Sequence, residues 1–410
     1  MPKDNHMVFK DDIQAAYTEQ QSLIQNNKEA ITREYLSQMK TPSRHIEVIS
    51  GIRRCGKSTL MIQIINKYYR NAAYFNFEDS RIYGFEVSDF SVLNEVMGKN
   101  NEAYFFDEIQ NVKGWEIFVR QLHERGEKVY VTGSNASLLS RELGTRLTGR
   151  FFGHEISPFS YTEFLEYQGL KDTVSGFESY IQKGGFPEFL RDNKTEILQT
   201  LLKDIVFRDI AIRHGIKNTD TLMGITLYLL SNIGKEISFN GIRKTFGVGS
   251  PATVSDYLSW LEDSYLLFFL PRFSWSAKSI SKNRKKVYAI DTGLINSNSL
   301  SFSKDKGRLL ENVVYLNLRK NDHNLFYFRE NRECDFVVFY NQSCKWVIQV
   351  CEKLHHDNRD REINGLMEAM SFFNMDTGYI LTNNQEERLL IKDRVIFVQP
   401  VRKFFKAEQS

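Results

Sequence analysis

The sequence predicts an α/β protein with a parallel sheet at its centre, and two observations carry that reading. Four short apolar runs, His45–Ile49, Ala72–Phe77, Ala103–Phe106 and Lys128–Thr132, are separated by helix-length segments, the rhythm of strands buried on both faces and joined by crossover helices. Directly after the first run stands Gly51-x-x-x-x-Gly56-Lys57-Ser58, a loop whose glycines let successive backbone N–H groups face phosphate oxygens.

The chain is long enough for two to four domains at about 150 residues each. Of its 410 residues, 41% are hydrophobic and 26% charged, and the formal net charge is +3, values of an ordinary soluble protein that by themselves argue for no polyanionic partner. The first residues, MPKDNHMVFKDDIQAAY, contain no apolar run of signal-peptide length. Nowhere do the ~18 consecutive apolar residues of a membrane span occur. The expectation is a cytoplasmic protein with no membrane contact. Four cysteines, Cys55, Cys334, Cys344 and Cys351, lack paired CxxC spacing, so they read as reduced thiols. The His355-His356 pair has no ligand spacing with carboxylates.

In chain order, residues 8–41 keep a helical period up to Pro42 and form a helical lead-in. After the first strand, Lys57 is placed to reach β- and γ-phosphates and the Ser58 hydroxyl to ligate Mg²⁺. The helix that starts there docks by its Leu60/Ile64 and Met61/Ile65 pairs. Gly51, Arg54, Cys55, Gly56, Lys57, Ser58 and Thr59 make up the candidate nucleotide-binding set. Phe105-Phe-Asp107-Glu108 closes a buried strand with two carboxylates: Asp107 to hold Mg²⁺ with Ser58, and Glu108 to polarise the attacking water. The next strand ends in Thr132-Gly-Ser-Asn135, where Asn135, with Ser134 close behind, is the candidate sensor of water or γ-phosphate. Arg146 and Arg150 follow, either of them able to serve a neighbouring subunit as an arginine finger, with a solvated surface arginine as the competing reading. Cys55 has two readings, a thiol activated by loop dipoles and a small tolerated residue.

From Ser160 to about Leu230 long amphipathic segments replace the strand–helix alternation, interrupted by Gly184-Gly-Phe-Pro-Glu188. Residues 237–291 give two short helices, the strand Tyr265–Leu270, a basic stretch and the strand Lys286–Ile290, an order that fits a winged helix. A Ser-rich linker, Ser297–Ser303, leads to the helix Gly307–Lys320, strands at Leu325–Phe328, Asp335–Phe339 and Trp346–Val350, a helix around Arg361–Phe373, and strands at Tyr379 and Val395.

The ordered set GIRRCGKSTL, FFDEIQ, VYVTGSN, LTGR, PFSYTEF, GGFPEFL and VYAIDTGL resembles the bacterial and archaeal AAA-type P-loop ATPases that carry a C-terminal domain of unknown function. The resemblance implies an AAA-type core over 1–158 including the lead-in, a helical lid over 159–232, a winged helix over 233–296 and a restriction-endonuclease-like α/β domain over 304–410. It also implies Lys57 and Ser58 as nucleotide and Mg²⁺ residues, Asp107 and Glu108 as the Walker B pair, and Arg150 as the preferred finger. It supplies no substrate.

Two accessory regions bear on function. The helix Pro251–Asp263 has no Lys or Arg and three acids, a poor surface for a major groove. The segment after it has Arg272, Lys278, Lys282, Arg284, Lys285 and Lys286 with no acid between, near Phe273 and Trp275. It reads either as a wing touching DNA phosphates or as a solvated loop. Restriction-type nucleases set a helical Glu, a strand Asp and a (Glu/Gln)-x-Lys strand around a metal. Glu311, Asp335 and Gln349 match the first three as a nuclease remnant, with Glu333 on the face of Asp335. Cys351 stands where the lysine belongs, and Lys353 lies one pair further, ~7 Å away, so the expectation is a nuclease-like fold that has lost the cleavage chemistry.

The expectation is a Mg²⁺-dependent ATPase that binds ATP and ADP and couples hydrolysis to movement of its C-terminal half. The alternatives are a DNA-binding motor or ATP-dependent nuclease in repair or defence, and a nucleotide-controlled switch for a protein partner. A finger acting in trans implies a homo-oligomer.

Overall fold

In the computed structural model the described residues are 8–26, 31–39, 44–136, 149–300, 305–321 and 324–408. They form two compact units, Met1–Gly169 with Asp263–Tyr265, and Leu170–Glu262 with Leu266–Ser410.

The first unit is built on a five-stranded sheet of β1 (Ile46–Ser50), β2 (Ala72–Asn76), β3 (Ala103–Asp107), β4 (Val129–Gly133) and β5 (Phe151–Glu155). The order is β2-β3-β4-β1-β5 and every pair is parallel. β1, β3 and β4 are buried along their whole length, which is why their apolar runs are uninterrupted in sequence. β5, which no apolar run announces, is an edge strand, and its Phe151-Phe-Gly-His-Glu155 is half exposed. The lead-in is the helix Lys10–Asn26, packed on β2 and on the helix Phe90–Met97, followed by a short 3₁₀ turn at Glu34–Ser37. One face of the sheet is filled by an aromatic cluster in which Phe90 and Phe118 stack at 4.3 Å. The helix Lys57–Tyr68 buries Leu60, Met61, Ile64 and Ile65, the face its spacing predicts.

The second unit begins with the helices Val174–Lys183, Pro187–Asp192 and Thr195–Asp204. The last runs directly into a π-helix, Ile205–Ile212, and the helix Thr219–Leu230 follows. Next come β6 (Glu236–Ile237), the helices Phe239–Phe246 and Pro251–Asp263, β7 (Leu267–Pro271), a short helix Ala277–Lys282 and β8 (Lys285–Ala289). The three strands pair antiparallel in the order β6-β8-β7. Gly247 ends its helix in the left-handed conformation at φ 64°, and Ser250 Oγ accepts from Thr253 N–H to start the next, as the turn residues predict.

The remainder is a six-stranded mixed sheet of β9 (Asn324–Arg329), β10 (Glu333–Tyr340), β11 (Ser343–Val350), β12 (Thr377–Thr382), β13 (Glu387–Ile391) and β14 (Arg394–Pro400), ordered β13-β14-β12-β11-β10-β9. β9, β10 and β11 are antiparallel, β11, β12 and β14 are parallel, and β13 returns antiparallel on β14. The helices Lys306–Lys320 and His356–Phe372 accompany it, with a last helix Val401–Glu408. Among the described residues no helix is long and apolar enough to cross a membrane.

Between the helices and β8 sits a glycine-dependent joint. The Asp291 carboxylate accepts from Gly185 N–H at 2.6 Å and Leu294 N–H at 2.8 Å. A Cβ on Gly184, whose φ is +70°, would fall 2.2 Å from the same carboxylate. Burial pushes Asp291 up to about 6. The GGFPEF and AIDTG motifs therefore meet each other.

Candidate nucleotide-binding site

The phosphate loop leaves the C-terminal end of β1, and β1 lies beside β4, so the loop, the end of β4 and the end of β3 share one edge of the sheet. In parallel α/β sheets this edge is where ligands bind. Gly51 has φ 154°, and a Cβ there would stand 2.2 Å from the Ile156 carbonyl. Gly56 has φ 99°, with the Arg33 guanidinium 2.7 Å from where a Cβ would lie. Both glycines are thus required by close neighbours in the protein itself. Arg54, at φ 62°, is a non-glycine residue in the left-handed region, the kind of local strain that surrounding structure must hold in place.

Lys57 is buried, and its ammonium lies 3.1 Å from Glu108 Oε1 while donating to the carbonyls of Gly51 and Ile52 at 3.2 and 3.3 Å. Burial opposes the charge, but Glu108 outweighs it and raises the Lys57 pKa. Burial alone would raise Glu108 too; Lys57 and a hydrogen bond from Gln110 overcome it and hold Glu108 below the ordinary glutamate range. Asp107 is fully buried and accepts from Tyr74 Oη at 2.7 Å, from Thr132 Oγ1 and from the Ser58 hydroxyl. Burial and the adjacent Glu108 raise its pKa. The hydroxyl of Ser58 and the carboxylate of Asp107 are hard oxygen donors side by side, a set that suits Mg²⁺.

At the end of β4, Ser134 and Asn135 are both buried. Gln110 Nε2 donates to Glu108 at 2.5 Å and reaches Ser134 Oγ at 3.5 Å, so a glutamine that sequence reasoning passed over links the carboxylate to the candidate sensor position. Tyr265, which belongs to this unit, donates to Ser50 Oγ at 2.7 Å under the loop.

The larger omission is Arg33. It is buried, pairs with Glu163 at 2.8 Å, and donates to the Cys55 carbonyl at 2.7 Å and the Ser157 carbonyl at 2.8 Å. Glu163 in turn caps its own helix through Ser160 N–H at 2.9 Å and accepts from Glu34 N–H at 2.8 Å. The lead-in and the PFSYTEF motif therefore brace the phosphate loop from below.

The other candidate residues stand in different settings. Cys55 is buried and burial pushes its thiol up, so it is the small tolerated residue and no activated thiol. Arg150 stands at the opposite edge of the sheet from the loop, where its carbonyl accepts from Ile46 N–H and its side chain pairs with Glu124 at 3.0 Å. It takes no part in its own subunit's site. Arg146 lies outside the described residues. In the second unit the basic segment is less free than its composition suggests. Lys286 is buried among Glu311, Glu333 and Asp335, Arg272 pairs with Glu330 at 3.5 Å, and Arg284 with Glu236 at 3.7 Å. Glu311 and Asp335 do come together, whereas Gln349 points its Oε1 at Asp335 N–H and its Nε2 at Glu362. Cys351 is buried and pushed up to about 12 by burial.

Residues 43–165 match the AAA domain family, and residues 174–305 match a domain of unknown function (DUF8612). The latter covers the helices and the β6-β8-β7 sheet rather than the last sheet. An uncharacterized protein of Methanocaldococcus jannaschii is 37% identical over 398 residues, covering 89% of this chain and 88% of its own. An uncharacterized protein of Haemophilus influenzae is 32% identical over 339 residues, covering 76% and 84%. Among solved structures, the Aeropyrum pernix ORC1 protein in complex with DNA aligns over 72% of this chain and 94% of its own, at 12% identity and a TM-score of 0.28, too distant a likeness to carry any weight. With a phosphate loop, a paired carboxylate strand end and relatives matched over most of their length, the chain belongs to the family of the Methanocaldococcus and Haemophilus proteins, an AAA-domain family of P-loop ATPase type.

Proposed function

We propose that the chain is a Mg²⁺-dependent ATPase whose hydrolysis changes the conformation of its C-terminal half. The observation that carries the chemistry is the gathering of buried Lys57, Asp107 and Glu108 with half-buried Ser58 at one edge of the parallel sheet. In this reading Gly51, Arg54, Cys55, Gly56, Lys57, Ser58 and Thr59 hold the triphosphate through loop N–H groups and the Lys57 ammonium. Ser58 and Asp107 would hold Mg²⁺, which would supply positive charge against that of the triphosphate. Glu108 orients the attacking water and takes its proton. A single ammonium serves both Glu108 and the phosphate position, so a γ-phosphate oxygen that draws Lys57 toward itself releases the carboxylate for water. Substrate binding thereby arms the base. Gln110 and Ser134, with Asn135, orient the water.

Arg150, remote from its own loop, acts in a neighbouring subunit of a homo-oligomer, with Arg146 the alternative. Residues 159–232 act as the lid, 233–296 as a winged helix and 304–410 as a restriction-endonuclease-like module, in a cytoplasmic protein. Glu108→Gln is expected to keep ATP binding while turnover falls by about 10²-fold or more. Steady-state turnover at the wild-type rate would sink the role given to Glu108.

A second reading, association with DNA, has one specific observation in its favour. Trp275 is 77% exposed, and Lys278 and Lys282 are exposed beside it on the helix Ala277–Lys282, an aromatic next to two cations that suits a nucleic-acid strand.

A further inference from the structure

The second unit contains a polar cleft of about 880 Å³ whose lining includes Lys286, Glu311, Glu333, Asp335 and Gln349. The Lys286 ammonium lies 3.0 Å from Glu311 Oε1, 2.8 Å from Glu333 Oε1 and 2.8 Å from Asp335 Oδ1. An ammonium has three N–H donors, and three carboxylates, from a helix and from β10, meet them. Each carboxylate is engaged elsewhere as well: Asp335 Oδ2 accepts from Val350 N–H at 2.9 Å, Glu311 accepts from Tyr288 Oη at 2.6 Å, and Glu333 Oε2 lies 3.7 Å from the Arg329 guanidinium. Gly234 closes the pocket behind Glu311, where a Cβ would stand 2.9 Å from Oε2. Lys286 is 1% exposed, and β8, which carries it, is fixed by pairing on both sides.

This arrangement differs from that of a metal-assisted hydrolytic centre in a definite way. Such a centre leaves the space between a helical Glu and a strand Asp open for a divalent ion. Here that space holds a side-chain cation. Among the described residues no group of His, Cys, Asp and Glu has the spacing to hold a metal, and Gln349 is turned to hydrogen bonds within the protein. We propose that Lys286 is a built-in cation that takes the place of a divalent ion between Glu311 and Asp335, so that this cleft is closed to metal-assisted cleavage as long as the lysine stays. Burial works against the charged amine, and Asp335 and Glu311 outweigh it, so the ammonium keeps its charge throughout the physiological range.

The test is a Mn²⁺ titration of the full chain without nucleotide, followed by electron paramagnetic resonance, with thermal unfolding in parallel. Wild type and Asp335→Asn are expected to bind Mn²⁺ alike, because neither offers an open site. Lys286→Met is expected to gain one Mn²⁺ site at least about tenfold tighter than anything in wild type, equivalent to about 1.4 kcal/mol, and to be stabilised by the ion. The double variant with Asp335→Asn should lose that site. Wild-type binding that Asp335→Asn abolishes would overturn the proposal, as would a folded Lys286→Met with no new site. Should Lys286→Met fail to fold with or without Mn²⁺, the comparison of wild type with Asp335→Asn decides alone: equal binding supports the built-in cation and Asp335-dependent binding refutes it.

Discussion

Removing the Arg33 guanidinium should unseat the phosphate loop without touching it. Arg33 and Glu163 are each 1% exposed at the side chain and 2.8 Å apart, so Arg33→Met leaves a carboxylate buried without its counter-charge, a change that costs about 3–5 kcal/mol in comparable buried pairs. Glu163 keeps the N–H groups of Glu34 and Ser160, which places the expected loss near the lower end. The Cys55 carbonyl loses its charged donor at 2.7 Å, and with it the loop loses its anchor. ATP affinity is then expected to weaken about tenfold, or about 1.4 kcal/mol. The decisive measurement is a double-mutant cycle with Glu163→Gln, read by urea unfolding and by hydrogen exchange at the loop amides. The double variant no longer buries a lone charge, so it should be more stable than the sum of the singles by about 1–3 kcal/mol. An Arg33→Met penalty below about 1 kcal/mol, with singles that add within about 0.5 kcal/mol, would refute the brace.

Gly51→Ala puts a Cβ 2.2 Å from the Ile156 carbonyl at φ 154°, and should cost about 1–3 kcal/mol together with nucleotide binding, measured by unfolding and by titration with a fluorescent ATP analogue. Asp291 is raised by burial from its ordinary 3.8 to about 6, so the native state holds this proton more tightly than the unfolded chain. The native state is therefore favoured below about pH 4, and that advantage, about 3 kcal/mol, is lost as pH rises to about 6. Relative to wild type, Asp291→Asn should gain this amount between pH 4 and pH 7 in urea midpoints; a pH-independent difference would rule it out. If DNA is a partner, neutralising Lys278 and Lys282 should flatten the log–log salt dependence of binding by about 1.8, at about 0.9 for each phosphate that no longer meets a lysine. An unchanged slope would remove this helix from the interface.

The central sheet was legible because β1, β3 and β4 are buried on both faces and so are written as continuous apolar runs. β5 and β13 escaped because an edge position exposes half their residues, and Phe151-Phe-Gly-His-Glu155 or Glu387-Arg-Leu-Leu-Ile391 reads like loop. The nucleotide site was legible where its residues are close in sequence, as Gly51 to Ser58 are. Arg33 was not, since its partner Glu163 lies 130 positions away and a lone arginine in a polar lead-in has no local signature. Lys286 shows a different failure. Counting charges from Arg272 to Lys286 treats them as one patch, but the last two of them open a strand, and strand alternation turns Lys286 and Tyr288 together toward Glu311. The run Lys285-Lys286-Val-Tyr-Ala289 contained that signal.

The way β8 is fastened bears on how the chain can be divided for expression. Asn312 Oδ1 accepts from Ala289 N–H at 2.8 Å and its Nδ2 donates to the Ala289 carbonyl at 2.9 Å, as a further strand would. The Tyr327 hydroxyl donates to the Arg284 carbonyl at 2.8 Å, and Phe273 N–H donates to the Tyr327 carbonyl at 2.8 Å. A fragment starting after the serine-rich stretch would keep Glu311, Glu333 and Asp335 and discard their ammonium, exposing three carboxylates and the unpaired side chain of Asn312. Autonomous production of the last sheet is therefore expected to need the strands that precede it, and the useful cut points for dissection lie upstream of β6.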